Sequence, residues 1–167
     1  VTTTASRSDD GGAQASDTSV TLVAEMTDAD ATAVVGLWHA CGLTRPWNDP
    51  ATDLANAVAT ATSTVLVARL ADGGETGDDG TRGQVAGTVM AGYDGHRGWL
   101  YYLAVDPAVQ GRGIGRSLVV AAEAWLAGQG AGKVQLMVRT SNTSVLGFYD
   151  SLGYSDQECV VLGRRLE

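Results

Sequence analysis

The sequence predicts an α/β fold, a mixed central sheet flanked by about four helices. Three observations carry that expectation. Trp99 to Val105, WLYYLAV, is rich in aromatic and β-branched residues and reads as a strand. Asp106-Pro107 stops it, and the run Gln110-Gly111-Arg112-Gly113-Ile114-Gly115 then opens a helix whose Ile114, Leu118, Ala122 and Trp125 recur at helical spacing. Lys133 to Arg139, KVQLMVR, is a further strand, and the order strand, helix, strand implies a parallel pair joined by a right-handed crossover.

Length and composition bound what such a chain does. With 167 residues it makes one domain with a sizeable core, here residues 20–167 after a polar segment, 1–19, that has no apolar periodicity and is expected to be a flexible tail. The net charge of −8 argues against nonspecific partnership with nucleic acid or a membrane surface. Cys41 and Cys159 form no CxxC pair, so no metal is implied, and free thiols in a reducing compartment are the simpler reading. No apolar run is long enough to span a bilayer, and the first residues lack the layout of a secretory signal, so a cytoplasmic location is the expectation.

Taken in order, Val20 to Met26 is a short strand. Thr27 caps a helix with Asp28 and Asp30 in its first turn and Val34, Leu37, Trp38 and Cys41 as its buried stripe, ended by Gly42. The loop Thr44-Arg45-Pro46-Trp47-Asn48-Asp49-Pro50 follows, locked by two prolines; Arg45, Trp47 and Asn48 in it are candidate substrate contacts, as is Tyr102. Asp53 to Thr62 reads as a second helix with Leu54, Val58 and Ala61 on one side, and Val65 to Leu70 as a strand. The Gly/Asp-rich run Ala71 to Gly83 is an exposed hairpin loop, Gln84 to Tyr93 its returning strand, and Asp94-Gly95 the turn toward Trp99. Asn142 begins a short helix closed by Gly153-Tyr154, and Glu158 to Leu166 is expected as the last strand.

The glycine run has a specific chemistry. A loop that opens a helix leaves backbone N–H groups unpaired and pointing one way, and the helix dipole behind them favours an anion such as phosphate. No Gly-x-x-x-x-Gly-Lys-Ser/Thr run is present, and the third glycine of the dinucleotide fingerprint is missing. A nucleotide-binding loop of either kind is therefore disfavoured. The pattern Gln-x-x-Gly-x-Gly at Gln110, Gly113 and Gly115, after a strand ending in Val-Asp-Pro, resembles the pyrophosphate loop of the GNAT superfamily of N-acetyltransferases. The resemblance extends over Trp99 to Leu166, including VRTSNTSVLGFYDSLGY, and the segments 45–50 and 91–98 resemble a subgroup of small bacterial acetyltransferases.

The resemblance implies a GNAT fold whose sheet splays open at an acetyl-CoA site. Carried over by position, Leu103, Ala104 and Val105 would hold the pantetheine arm and thioester carbonyl with backbone groups. Gln110, Gly111, Arg112, Gly113, Ile114, Gly115, Arg116 and Ser117 would surround the pyrophosphate, and Asn142 and Tyr149 would contact the cosubstrate from the next loop and helix. Tyr149 falls where the family places its general acid. The implied reaction is transfer of an acetyl group from acetyl-CoA to a primary amine, small molecule or peptide, by direct attack; a non-catalytic acyl-CoA sensor on the same fold is the alternative, and homodimerisation stays open.

The chemistry is consistent with that assignment. The amine attacks as a neutral species, the oxyanion needs N–H donors, and the leaving thiolate needs a proton. A tyrosine with a reference pKa of ~10 stays protonated beside a thiolate of pKa ~8.5 and shares its proton with it. The strand Trp99 to Val105 holds no carboxylate, so no general base is assigned. Leu136-Met137-Val138-Arg139 resembles the Leu-Glu-Val-Arg strand of ribosomal-protein alanine acetyltransferases, in which the glutamate is implicated in activating the peptide amine, with Met137 in its place.

Overall fold

The computed structural model describes residues 20–70 and 83–165, so the expectations for segment 1–19 and nearly all of the loop 71–83 lie outside the described residues. Val20–Glu25 (β1), Ser63–Leu70 (β2), Val85–Tyr93 (β3), Gly98–Val105 (β4) and Val134–Leu136 (β5) lie side by side in that order in one sheet. β1, β2, β3 and β4 pair antiparallel in succession, and β4 with β5 is parallel. Ala31–Ala40 (α1) and Pro50–Ala59 (α2) cover one face; Ile114–Gly128 (α3) and the short Leu146–Asp150 (α4) lie on the other.

Covering both faces explains why β2 and β3 read as near-continuous apolar runs rather than alternating ones. Alternation persists in which layer each side chain enters. Leu66, Ala68, Val89 and Ala91 point to α3 with Leu118, Val119, Ala122 and Leu126. Val65, Val67 and Met90 point to α1 and α2 with Val34, Trp38, Leu54 and Ala57. Where α3 crosses β3 the approach is close: a Cβ on Gly87 would stand 2.9 Å from Leu118 Cδ1 and 3.0 Å from the Ala104 carbonyl oxygen.

The helix starts follow local chemistry. Asp30 is buried and does three things: its Oδ2 accepts from the Thr27 N–H at 2.8 Å and from the Thr27 hydroxyl at 3.1 Å, and its Oδ1 pairs with Arg69 of β2 at 2.6 Å. Burying a carboxylate requires such compensation. α2 begins at Pro50, three residues before the expected start, because Asp49 caps it, accepting from Ala51 N–H and Thr52 Oγ1, and Pro50 needs no partner at the first position. Leu54 and Ala57 are buried in α2, whereas Val58 is about half exposed and Ala61 lies beyond the helix.

Two strand expectations are corrected. Of Lys133 to Arg139 only Val134–Leu136 pairs with β4; Met137 is exposed beyond it. Glu158 to Leu166 is not a strand where the structure describes it: residues 155–165 run without sheet pairing, and Val160, Val161 and Leu162 are 88%, 68% and 92% exposed. Local bonds occupy the chain instead. Asp156 Oδ1 accepts from Glu158 N–H, Cys159 Sγ donates to the Gln157 carbonyl, and Glu158 has φ +54, outside the β region.

Gly87→Ala should destabilise the protein by about 1–3 kcal/mol, the usual range for overpacking a close contact. The backbone oxygen of Ala104 cannot yield as a flexible side chain would. A lower urea midpoint with an unchanged slope is the expected result.

Candidate active site

The candidate site lies where β4 parts from β5. The parallel pairing of β4 with β5 ends at Leu100 opposite Leu136, so beyond Leu100 the sheet parts on that side. On its other side β4 carries a bulge: Thr88 pairs with Ala104 and Met90 with Tyr101, so Val89 faces both Tyr102 and Leu103. Tyr102 takes φ +50, a conformation rarely open to a bulky residue. Leu103 and Val105 pack with the α3 layer, while Ala104 and Tyr102 pack with the α1 and α2 layer.

The bulge is clamped from behind. Trp38 is fully buried and its Nε1 donates to Thr88 Oγ1 at 2.8 Å; that hydroxyl in turn donates to the Tyr102 carbonyl at 3.3 Å. The Tyr102 ring stacks on the Trp38 indole with centroids 4.0 Å apart. At its far end the Tyr102 hydroxyl donates to Asp53 Oδ2 at 2.7 Å, and Asn48 Nδ2 donates to the same oxygen at 3.3 Å. Partial burial and the hydrogen bond to Asp53 both raise the Tyr102 pKa.

Of the loop residues expected at the substrate, only Asn48 joins this cluster. Arg45 is turned onto its own loop and donates to the carbonyls of Gly42 and Thr44 at 2.8 and 2.7 Å, tying down the end of α1. Trp47 is 57% exposed, with the Arg165 guanidinium 4.9 Å above its ring. The structure adds Asp53 to this cluster, a residue the sequence reading does not single out. Its signal is the spacing Asn48-Asp49-Pro50-x-x-Asp53: the Asp49 cap and Pro50 fix where the helix starts, and Asp53 follows one turn later on the face toward β4.

The glycine loop lies on the opposite layer. Ser117 N–H makes the first intrahelical bond, to the Gly113 carbonyl, so the N–H groups of Ile114, Gly115 and Arg116 precede the ladder. Ile114 buries its side chain in the core and anchors this turn through packing. Gly113 has φ +81, and a Cβ there would meet nothing within 4 Å, so the space over the loop is open. Gln110 Nε2 donates to the Val105 carbonyl at 3.1 Å, fastening the loop to the end of β4. Ser117 Oγ donates back to the Gly113 carbonyl at 3.4 Å.

Gly115 does something different. A Cβ there would stand 3.3 Å from Phe148 Cζ and 3.7 Å from Val105 Cγ2, so its bare backbone lets α4 seat against the start of α3. Arg116 Nη2 strengthens this contact, donating to the carbonyl and hydroxyl of Ser151 at 3.3 and 3.1 Å. Tyr149 follows Phe148 on α4, the helix seated against the start of α3. Its ring meets Phe148 and Tyr154 edge-on at 5.1 and 5.8 Å, burial raises its pKa, and its hydroxyl makes no hydrogen bond among the described residues. Asn142 is exposed at the turn before α4 and accepts from Ser144 Oγ at 3.1 Å. Arg112 is exposed on the loop.

Among the described residues no group of His, Cys, Asp and Glu is placed to hold a metal ion, and no helix is long and apolar enough to cross a membrane. A separate groove of about 650 Å³ between α1 and α2, lined by Met26, Val35, Leu54 and Val58 among others, is apolar apart from Asp28 and Thr32 and includes none of the glycine loop.

Comparison with known proteins gives this geometry a context. A model of the acetyltransferase (GNAT) family matches residues 37–154. An acetyltransferase of Pectobacterium atrosepticum is 42% identical over 137 residues, 82% of this chain and 89% of that protein. Among solved structures, AAC(6')-Iy in complex with the bisubstrate analogue CoA-S-monomethyl-acetylneamine superposes with a TM-score of 0.68 at 17% identity, covering 86% of this chain and 97% of that one. A transcriptional regulator from Bacillus halodurans superposes with a TM-score of 0.66 at 20% identity, covering 89% and 100%.

If the glycine loop holds a pyrophosphate, acetyl-CoA should raise the melting temperature, and Gly113→Val should abolish the rise. The new side chain would fill the open space over the amides. A folded Gly113→Val protein, checked by circular dichroism, that kept the full shift would place the cosubstrate elsewhere.

Proposed function

The chain belongs to the GNAT acetyltransferase family, and from that premise we propose that it transfers the acetyl group of acetyl-CoA directly to a primary amine, with Tyr149 as general acid. The single observation that supports this best is the parting of β4 from β5 beside the unpaired N–H groups of Ile114, Gly115 and Arg116. A long cosubstrate with a phosphate at one end and a thioester at the other suits that arrangement. The solved neighbours include an aminoglycoside N-acetyltransferase in complex with CoA, which bears on the cosubstrate of that protein and supports the same choice here.

The chain's own groups divide the work. The helix-start amides would bind the pyrophosphate, with the charges of Arg112 and Arg116 nearby. Backbone groups of Leu103, Ala104 and Val105, freed where β5 departs, would align the pantetheine arm and donate to the thioester oxygen as it gains charge. The neutral amine forms an N–C bond, the C–S bond breaks, and the proton released by the nitrogen replaces the one that Tyr149 gives to sulfur. A tyrosine whose pKa is raised by burial stays protonated throughout the neutral range. No covalent enzyme intermediate is needed. Cys41, the half-buried cysteine, is occupied by a hydrogen bond to the Val105 carbonyl at 3.4 Å, and burial raises its pKa, which keeps it a poor nucleophile.

Tyr149→Phe should keep the acetyl-CoA-induced melting shift and lose turnover by ~10²–10⁴-fold, the scale of one acid–base group. Acetyl-CoA consumption with a panel of amines tests both this and the sensor alternative: undiminished activity in the variant removes Tyr149 from the mechanism, and a wild-type protein that binds acetyl-CoA but turns over no amine is a sensor.

Met137 is exposed beyond the end of β5 and its thioether cannot take a proton or pair with an ammonium. Peptides beginning with alanine should therefore be acetylated poorly or not at all. A robust wild-type rate on a ribosomal-protein N-terminal peptide would contradict this.

A further inference from the structure

The mechanism above leaves one charged group near the bulge without a role. Asp53 lies on the face of the sheet opposite α3 and the glycine loop. Its Oδ2 takes both neutral donors, the Tyr102 hydroxyl at 2.7 Å and Asn48 Nδ2 at 3.3 Å, while Oδ1 accepts nothing among the described residues. No cation balances it: the one ion pair among the described residues is Arg69 with Asp30, and the nearby loop cation, Arg45, is spent on backbone carbonyls. The carboxylate is also held still. Tyr102 is stacked on the buried Trp38 and fixed by the Thr88 hydroxyl, and Asp53 itself sits one turn into a helix capped by Asp49. A rigid, half-exposed carboxylate with one free oxygen is suited to receive an ammonium group.

That ammonium is not the reacting one. A carboxylate beside an ammonium stabilises its charged form, whereas the nucleophile has to be neutral when it attacks. The whole length of the Tyr102 side chain also separates Asp53 from the β4 backbone, along which the thioester is placed by the reading above. An acceptor satisfying both ends has one amino group at Asp53 and another at the thioester.

We propose that Asp53, clasped by Tyr102 and Asn48, binds the non-reacting ammonium of the acceptor, so that the substrate class is a diamine or polyamine with at least two amino groups. This rests on the reading of the protein as an amine acetyltransferase, and deepens it. The overall charge of −8 favours association with such a polycation. The reaction balances as before: one amine becomes the amide, CoA leaves as the thiol, and the held ammonium is unchanged.

The test compares 1,4-diaminobutane and spermidine with n-butylamine, which shares the reacting amine and lacks the second charge. Turnover is followed by CoA thiol release and binding of spermidine by calorimetry. Wild-type protein should favour the diamines. Asp53→Asn, which keeps the size and some hydrogen bonds, should reduce that preference by about 10- to 100-fold, the worth of one charge-assisted hydrogen bond, with the loss in KM rather than kcat. Asp53→Glu should restore part of it, which a merely structural role would not produce. The acetyl-CoA melting shift of each variant serves as the control for folding.

An undiminished diamine preference in Asp53→Asn, or a wild-type enzyme that treats n-butylamine and the diamines alike, overturns the assignment of Asp53 and leaves amine acetylation standing. Spermidine bound by the wild type but not by Asp53→Asn, with no amine acetylated, upholds the ammonium site and overturns the transferase reading. Neither binding nor turnover overturns both.

Discussion

The extra residue in β4 sets the position of everything around the site. Val89 of β3 faces two residues of β4, and Tyr102 absorbs the insertion with φ +50. Such a backbone costs on the order of 1–3 kcal/mol for a residue with a side chain. Its compensation is visible: an aromatic stack on Trp38, worth about 0.5–1.5 kcal/mol beyond area burial, and a fully buried Thr88 hydroxyl that links the Trp38 indole to the Tyr102 carbonyl. In a strand, slipping by one residue sends every following side chain to the other face. The bulge allows β4 to keep Leu100 on the α3 face before it and Leu103 and Val105 on that same face after it. The Tyr102 ring is directed to the other layer, against Trp38 and Asp53.

Two kinds of surface result, one on each side of the sheet. On the α3 side the available groups belong to the backbone. The glycines permit it in different ways: Gly113 by its positive φ, Gly115 by leaving room for Phe148. On the α1 and α2 side the available groups are side chains, Tyr102, Asn48 and Asp53, whose placement depends on a helix cap and on a buried tryptophan. A backbone surface is suited to a ligand part common to many reactions, such as a pyrophosphate. A side-chain surface can change with little effect on the fold, which is where acceptor choice is expected to reside.

Which parts were legible in the sequence follows from the range of the interactions. The glycine loop, the Asp-Pro stop before it and the helical spacing of Ile114, Leu118 and Ala122 are local, and the structure forms them at those residues. The Tyr102–Asp53 contact joins residues 49 apart and depends on a bulge that no local pattern in WLYYLAV announces. The start of α2 was readable in principle from Asp49-Pro50, a cap followed by proline. The error at Glu158 to Leu166 has another origin. Apolar and β-branched residues suggest extended chain, but a strand exists only where an edge is available to pair, and Asp156, Gln157 and Cys159 satisfy neighbouring backbone groups locally. Arg165 then meets Trp47 rather than a sheet partner.

The same separation of surfaces resolves an apparent conflict in the charges. The chain is acidic overall, yet the cosubstrate proposed for it is a polyanion. Net charge acts over distances on the order of a Debye length, about 8 Å at physiological ionic strength, beyond which solvent ions screen it. At the glycine loop the local groups are amides at a helix start with Arg112 and Arg116 beside them, and Arg116 is already oriented by Ser151. Asp53 belongs to the other layer, with a sheet and a tyrosine side chain between it and those amides. Under the proposed reading an anion and a cation would be held in one small domain on opposite faces of the sheet, the glycine loop with the α3 layer and Asp53 with the α1 and α2 layer.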